Sequence, residues 1–124
     1  MANRKILVVD DERDICDFVK SFLKERNYDV FTAQGGEDAL AIVKSERPDL
    51  ILLDIKMKGM DGIATLKHIK DMNRSFKVIM ITALADQDKM DEACRLGACE
   101  YITKPLSLDH LERTVESNLK EIGV

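Results

Sequence analysis

The sequence predicts an α/β domain: a doubly wound, five-stranded parallel sheet in strand order 2-1-3-4-5, covered by helices on both faces as three layers, α/β/α. Three observations predict it. Apolar runs such as Ile6-Leu7-Val8-Val9, Leu50-Ile51-Leu52-Leu53 and Val78-Ile79-Met80-Ile81 are too short for buried helices. They are also too continuous for strands with one wet face, so they suit parallel strands buried on both sides. Between these runs lie segments whose apolar residues recur at helical spacing. Regular alternation of the two kinds implies right-handed crossovers.

The first strand ends in Asp10-Asp11. Ile15, Phe18, Val19, Phe22 and Leu23 then predict a helix from about Glu12 to Arg26, with this face inward and Asn27 closing it. Tyr28 to Ala33 is the second strand. Gly35-Gly36 turns the chain into a helix bearing Ala39, Leu40 and Val43, which Pro48 stops. Asp49 to Asp54 is the central strand, and the helix after Gly62 puts Ile63, Leu66 and Ile69 inward. Lys77 to Ile81 forms the fourth strand, ending in Thr82. Met90, Ala93, Cys94 and Gly97 predict a helix from about Asp88 to Leu96, with Gly97 as its stop. Cys99 to Thr103 is the fifth strand and leads into Lys104-Pro105. The last helix turns Leu108, Leu111, Val115 and Leu119 inward.

With 124 residues the chain is expected to be one domain, 1–124. A net charge of −4 without a Lys/Arg block argues against direct nucleic-acid binding. No apolar run approaches a membrane span and nothing addresses the chain for export, so the expected location is cytoplasmic. Three cysteines without a C-x-x-C pair indicate neither a disulfide framework nor a zinc site. Helix and strand directions argue against a Cys94–Cys99 bridge, leaving the cysteines as small, at least half-buried apolar residues.

In a parallel sheet the ends of all strands lie on one edge, so Asp10, Asp11, Asp54, Thr82 and Lys104 converge. Crowded carboxylates raise one another's pKa values. A hard divalent cation relieves this, and Mg²⁺ is the usual choice where few carboxylates supply the oxygens. A cation, the Lys104 ammonium and the Thr82 hydroxyl around Asp54 are what a phosphoryl group on that carboxylate needs.

On these residues the chain resembles the receiver domains of two-component response regulators, which have a flavodoxin-like fold. The resemblance rests on Val8-Val9-Asp10-Asp11, Pro48 to Asp54, Gly59-Met60-Asp61-Gly62, Ile81-Thr82-Ala83, Leu96-Gly97-Ala98 and Tyr101-Ile102-Thr103-Lys104-Pro105, and it spans essentially the whole chain. It implies a phosphorylatable switch rather than a metabolic enzyme. Asp54 is the implied phosphoacceptor, taking its phosphoryl group from a histidine kinase or a small phosphodonor and losing it by slow autodephosphorylation. Mg²⁺, for which Mn²⁺ can substitute, would be held by Asp11, by Asp10 partly through water, by Asp54 and by the Lys56 backbone carbonyl. Lys104 and Thr82 would bind phosphoryl oxygens. Tyr101 matches the aromatic whose rotamer follows the site, and Pro105 the proline preceded by a cis peptide bond. The implied partners are a sensor histidine kinase or histidine phosphotransferase and a downstream protein on the face of helix four, strand five and helix five. A monomer or weak dimer is expected.

Lys58 departs from the proline frequent before Gly59. The resemblance implies that Lys56 and Leu84 occupy positions that, in that family, tune the acyl-phosphate lifetime, and both residue types point towards slower hydrolysis. His68 and His110 fall on polar helix sides and read as surface residues; Glu12, Asp14 and Asp17 read as acids favoured by a helix start.

Three rivals fail on specific residues. A dehalogenase-like phosphatase wants an acid two residues after its nucleophile, where Lys56 stands. A flavin module wants a phosphate-cradling loop where Asp10-Asp11-Glu12 would repel one. A degenerate receiver would lack a site residue. Two variants of the main reading remain: a relay passing the phosphoryl group to a histidine phosphotransferase, and a receiver cut from a larger regulator.

Overall fold

The computed structural model describes residues 3–83, 87–98 and 100–123. Its elements alternate throughout: β1 (Lys5–Val9), α1 (Arg13–Lys24), β2 (Asp29–Ala33), α2 (Gly36–Glu46), β3 (Leu50–Asp54), α3 (Gly62–Met72), β4 (Val78–Thr82), α4 (Gln87–Arg95), β5 (Tyr101–Thr103) and α5 (Leu108–Gly123). The strands form one parallel sheet in the order β2-β1-β3-β4-β5, as the sequence predicts.

Side chains alternate across a strand, so each apolar run feeds two cores. Leu7, Val9, Ile51, Leu53 and Met80 face α2, α3 and α4, which contribute Ala39, Val43, Leu66, Ile69 and Ala93. Ile6, Val8, Leu50, Leu52, Ile79 and Ile81 face α1 and α5, which contribute Val19, Leu23, Leu111 and Val115. β1, β3 and β4 are therefore buried along almost their whole length.

Local chemistry sets the element ends. The Asp61 carboxylate accepts from Ala64 N at 2.8 Å and caps α3. Gly62 follows because a Cβ there would stand 2.1 Å from the carbonyl oxygen of Asp54. At the end of α4, Gly97 adopts φ +106°, and Ala98 N returns to Ala93 O at 2.9 Å, a paired C-terminal turn. α2 ends at Glu46, with Arg47 in the left-handed region (φ 48°), one residue ahead of the proline expected to stop it.

Several expectations need correction. Phe18 is 50% exposed and Leu108 36%, so neither belongs to the core that helical spacing assigns them to. Cys16, not singled out by the spacing, is buried on α1 in place of Phe18. Each miss is a matter of helix rotation: one residue of slip moves a side chain by ~100° around the axis. Cys94 is exposed and disulfide-bonded, against the expectation of unbridged thiols. Cys99 lies outside the described residues.

Candidate functional site

The register of the sheet builds the site. Val9 pairs with Leu53 and Asp54 with Ile81, so Asp10, one residue past β1, and Asp54, the last residue of β3, share the carboxyl edge. Thr82 ends β4 and pairs with Thr103, which delivers Lys104 beside it; Lys104 N donates to Thr82 O at 2.7 Å. The Lys104–Pro105 peptide bond is cis.

Lys104 ties the cluster together. Its ammonium lies 3.0 Å from Asp10 Oδ2, 3.3 Å from Asp54 Oδ2 and 3.6 Å from Glu12 Oε1. Burial pulls the Lys104 pKa down, but Asp10 and Asp54 together outweigh burial and raise it. Asp54 is pushed up to about 6, first by burial and then by the charge of Asp10. Lys104 and the backbone N–H of Lys56 offset only part of this.

Asp10 is fully buried. Its Oδ1 accepts from Glu12 N at 2.9 Å. Its Oδ2 has the Lys104 charge beside it but no hydrogen bond of regular geometry.

Asp10, Asp11 and Glu12 offer carboxylate oxygens that all lie within 4.8 Å of one another. An all-oxygen, multiply anionic set that includes a fully buried carboxylate fits a hard divalent cation. Glu12 enters this group although its sequence position reads as a helix-start acid. The available signal was the run of three consecutive acids after an apolar strand. Lys56 is exposed, as are His68 and His110, while Thr82 is buried and Tyr101 exposed. Leu84 lies outside the described residues.

A family model for the response regulator receiver domain matches residues 6–116. The chain belongs to that family. The receiver domain is 40% identical over 119 residues to the sporulation initiation phosphotransferase F of Bacillus subtilis, covering 96% of each chain. It is 42% identical to the transcriptional regulatory protein ZraR of Salmonella typhimurium, covering 92% of this chain but only 26% of that protein. Among solved structures, a CheY-like receiver domain protein from Methanospirillum hungatei superposes with a TM-score of 0.92 at 31% identity, covering 96% of this chain and 95% of that one. The receiver domain of NtrX from Brucella abortus gives 0.87 at 37% identity, with 93% and 98% covered.

Phosphorylation on an aspartate is the standard function of this family, so the chain is a phosphorylatable signalling module of two-component systems. Response regulators of this kind interact with histidine kinases or phosphotransferases. No helix among the described residues is long and apolar enough to cross a membrane.

Proposed function

We propose that Asp54 is the phosphoacceptor of a single receiver domain spanning 1–124, working in the cytoplasm as a monomer or weak dimer. One observation carries this reading. Asp54 ends the central strand 4% exposed, with the Lys104 ammonium 3.3 Å away and a backbone N–H of the following loop on its carboxylate.

An Asp54 oxygen attacks the phosphorus of a phosphohistidine or small phosphodonor. The O–P bond forms as the P–N bond, or the P–O bond of an acyl phosphate, breaks, and its electron pair leaves with the donor. Lys104 neutralises the phosphoryl oxygens and Thr82 donates to one of them. Asp10, Asp11, Asp54 and the Lys56 backbone carbonyl are the residues we assign to Mg²⁺ or Mn²⁺, with Glu12 beside them. When bound, that ion supplies charge neutralisation for the same oxygens. Autodephosphorylation is slow, with Lys56 and Leu84 tuning it.

For the output, Thr82 moves towards the new phosphoryl group and Tyr101 turns inward. Tyr101 is 43% exposed and borders a cavity of about 160 Å³ shared with Met80, Met90, Ala93 and Ala98, which gives the ring somewhere to go. The turn reshapes the α4–β5–α5 face for a downstream protein. No direct nucleic-acid or membrane contact is part of this reading.

The relay reading has its own support. The Bacillus relative, 40% identical to this chain, is named a phosphotransferase.

Incubation with acetyl phosphate and Mg²⁺ should add one base-labile phosphoryl group, which Asp54→Asn abolishes. Equal labelling of wild type and Asp54→Asn in intact-mass spectra would overturn the assignment. Amide NMR with a beryllofluoride mimic separates the two outputs. Shifts extending from Ala83 through Lys104 support the switch, and shifts confined to groups touching Asp54 support a relay.

A further inference from the structure

Asp10 is fully buried, so its backbone and its carboxylate both need partners that the fold supplies. Its N–H donates to Ala33 O at 3.1 Å, and its Oδ1 accepts from Glu12 N at 2.9 Å. Its carbonyl oxygen accepts from the Cys16 thiol at 3.3 Å. Oδ2 is the atom left to face Lys104, 3.0 Å away.

The carbonyl needs a side-chain donor because the strand ladder ends there. Asp29 N donates to Arg4 O and Asp10 N to Ala33 O, so alternate residues from Arg4 to Asp10 turn their backbone groups towards β2. β2 ends at Ala33, and the ladder supplies no further strand N–H for Asp10 O. Cys16 is the first buried residue of α1, 2% exposed, and its thiol fills this gap. Ala33 O, which already takes the Asp10 N–H, lies 3.7 Å from the same sulfur. An apolar side chain at position 16 would leave a buried carbonyl unpaired.

The pinned carbonyl has reach beyond Asp10. One rigid peptide plane contains the Asp10 Cα, that carbonyl, and the N–H and Cα of Asp11. Tilting the plane therefore moves the roots of both acidic side chains together.

We propose that Cys16 is a positioning residue for phosphorylation: its thiol holds the peptide group between Asp10 and Asp11 and so sets both carboxylates against Lys104 and the cation. The inference rests on Asp54 as the phosphoacceptor. Cys16 acts only through that peptide group and is not itself a binding site.

The test compares Cys16→Ala and Cys16→Ser with Val19→Ala, which alters a buried residue one turn further along α1. On the full chain, urea unfolding in chelator gives stability. An amide NMR titration gives the Mg²⁺ dissociation constant, and timed intact-mass spectra give the rate of labelling by acetyl phosphate. Cys16→Ala should weaken Mg²⁺ binding about three- to tenfold, the size of one lost hydrogen bond. It should slow labelling at saturating Mg²⁺ and donor by a similar factor, with the half-saturating donor concentration unchanged. Cys16→Ser keeps a hydroxyl donor and should stay within about twofold of wild type. Val19→Ala should lower the urea midpoint alone, which is the signature of lost packing. Cys16→Val, apolar and without a donor, repeats the Ala arm if the smaller residue does not fold. A change confined to the urea midpoint in Cys16→Ala, or a loss in Cys16→Ser as large as in Cys16→Ala, overturns the positioning role. Asp54→Asn keeps the two readings apart: labelling equal to wild type sinks the phosphoacceptor assignment and this inference with it. Labelled wild type beside unlabelled Asp54→Asn leaves Cys16 alone on trial.

Discussion

Two aspartates bracket the central strand, Asp49 just before β3 and Asp54 at its end, and they do opposite work. Asp49 Oδ2 accepts from the backbone N–H of Lys5 at 2.8 Å, and its other oxygen lies 3.9 Å from Arg4. Its side chain keeps 33% of its surface in solvent. Asp49 therefore stitches β1 to β3 at little desolvation cost. Asp54 keeps 5% of its side-chain surface, faces the buried Asp10, and depends on one lysine for compensation. The same residue type on the same strand stabilises the fold at one edge and strains it at the other. Partners and solvent, not residue identity, decide which. The strained end is the one suited to chemistry, since a ligand that relieves the strain is bound by doing so.

The largest expected effect sets the two edges apart by rate. Lys104→Ala should slow phosphorylation from acetyl phosphate by about 10²-fold or more, the cost of removing a preorganised charge stabiliser. Arg4→Ala, at the other end of the sheet, should leave the rate unchanged. Timed intact-mass spectra measure both, and equal slowing would erase the distinction.

The next contrast is in stability. In chelator, Asp54→Asn should stabilise the fold by about 1–3 kcal/mol, because it removes a carboxylate whose pKa folding raises from 3.8 to about 6. Asp49→Ala should destabilise it by about 1 kcal/mol through the lost strand-joining hydrogen bond. Urea unfolding reads both, and the comparison breaks if the two changes share a sign.

Metal should relieve the strained edge alone. At ten times its dissociation constant Mg²⁺ should add about 1.4 kcal/mol by linkage. Asp11→Ala should remove most of that gain, and Asp49→Ala should retain it. Identical unfolding midpoints with Mg²⁺ and with chelator would exclude a metal site here.

The smallest effect is in pH. A carboxyl whose folded pKa is raised contributes stability that is fully present below the unfolded value of 3.8 and lost as pH rises through about 6. The metal-free advantage of Asp54→Asn over wild type should therefore be larger at pH 7.5 than at pH 5. A gap of constant size across that window would show that Asp54 is not the strained group.

The architecture, and the meeting of Asp10, Asp54, Thr82 and Lys104 on one sheet edge, were legible in the chain's pattern. Continuous apolar runs cannot be one-sided strands, alternation with helices forces a parallel sheet, and a parallel sheet gathers its strand ends on one edge. Asp10, Asp54, Thr82 and Lys104 could be placed together for that reason, without any coordinate. What tertiary structure alone decided is of another kind. Helical spacing defines a stripe but not its rotation against the sheet, so Phe18 and Leu108 stand outside the core while Cys16 lies within it. Glu12 joins the acid cluster because the chain leaving β1 turns over Asp10, with Glu12 N on the Asp10 carboxylate. Lys70 reads in sequence as one more solvated charge of α3. It is buried because the glycine at position 97, two elements later, leaves space for its stem, and because two carbonyls of the following loop accept hydrogen bonds from its ammonium. Strand ends follow from local pattern and chirality, whereas the environment of a charge depends on segments far apart in sequence. No periodicity in the chain encodes which of those segments will meet.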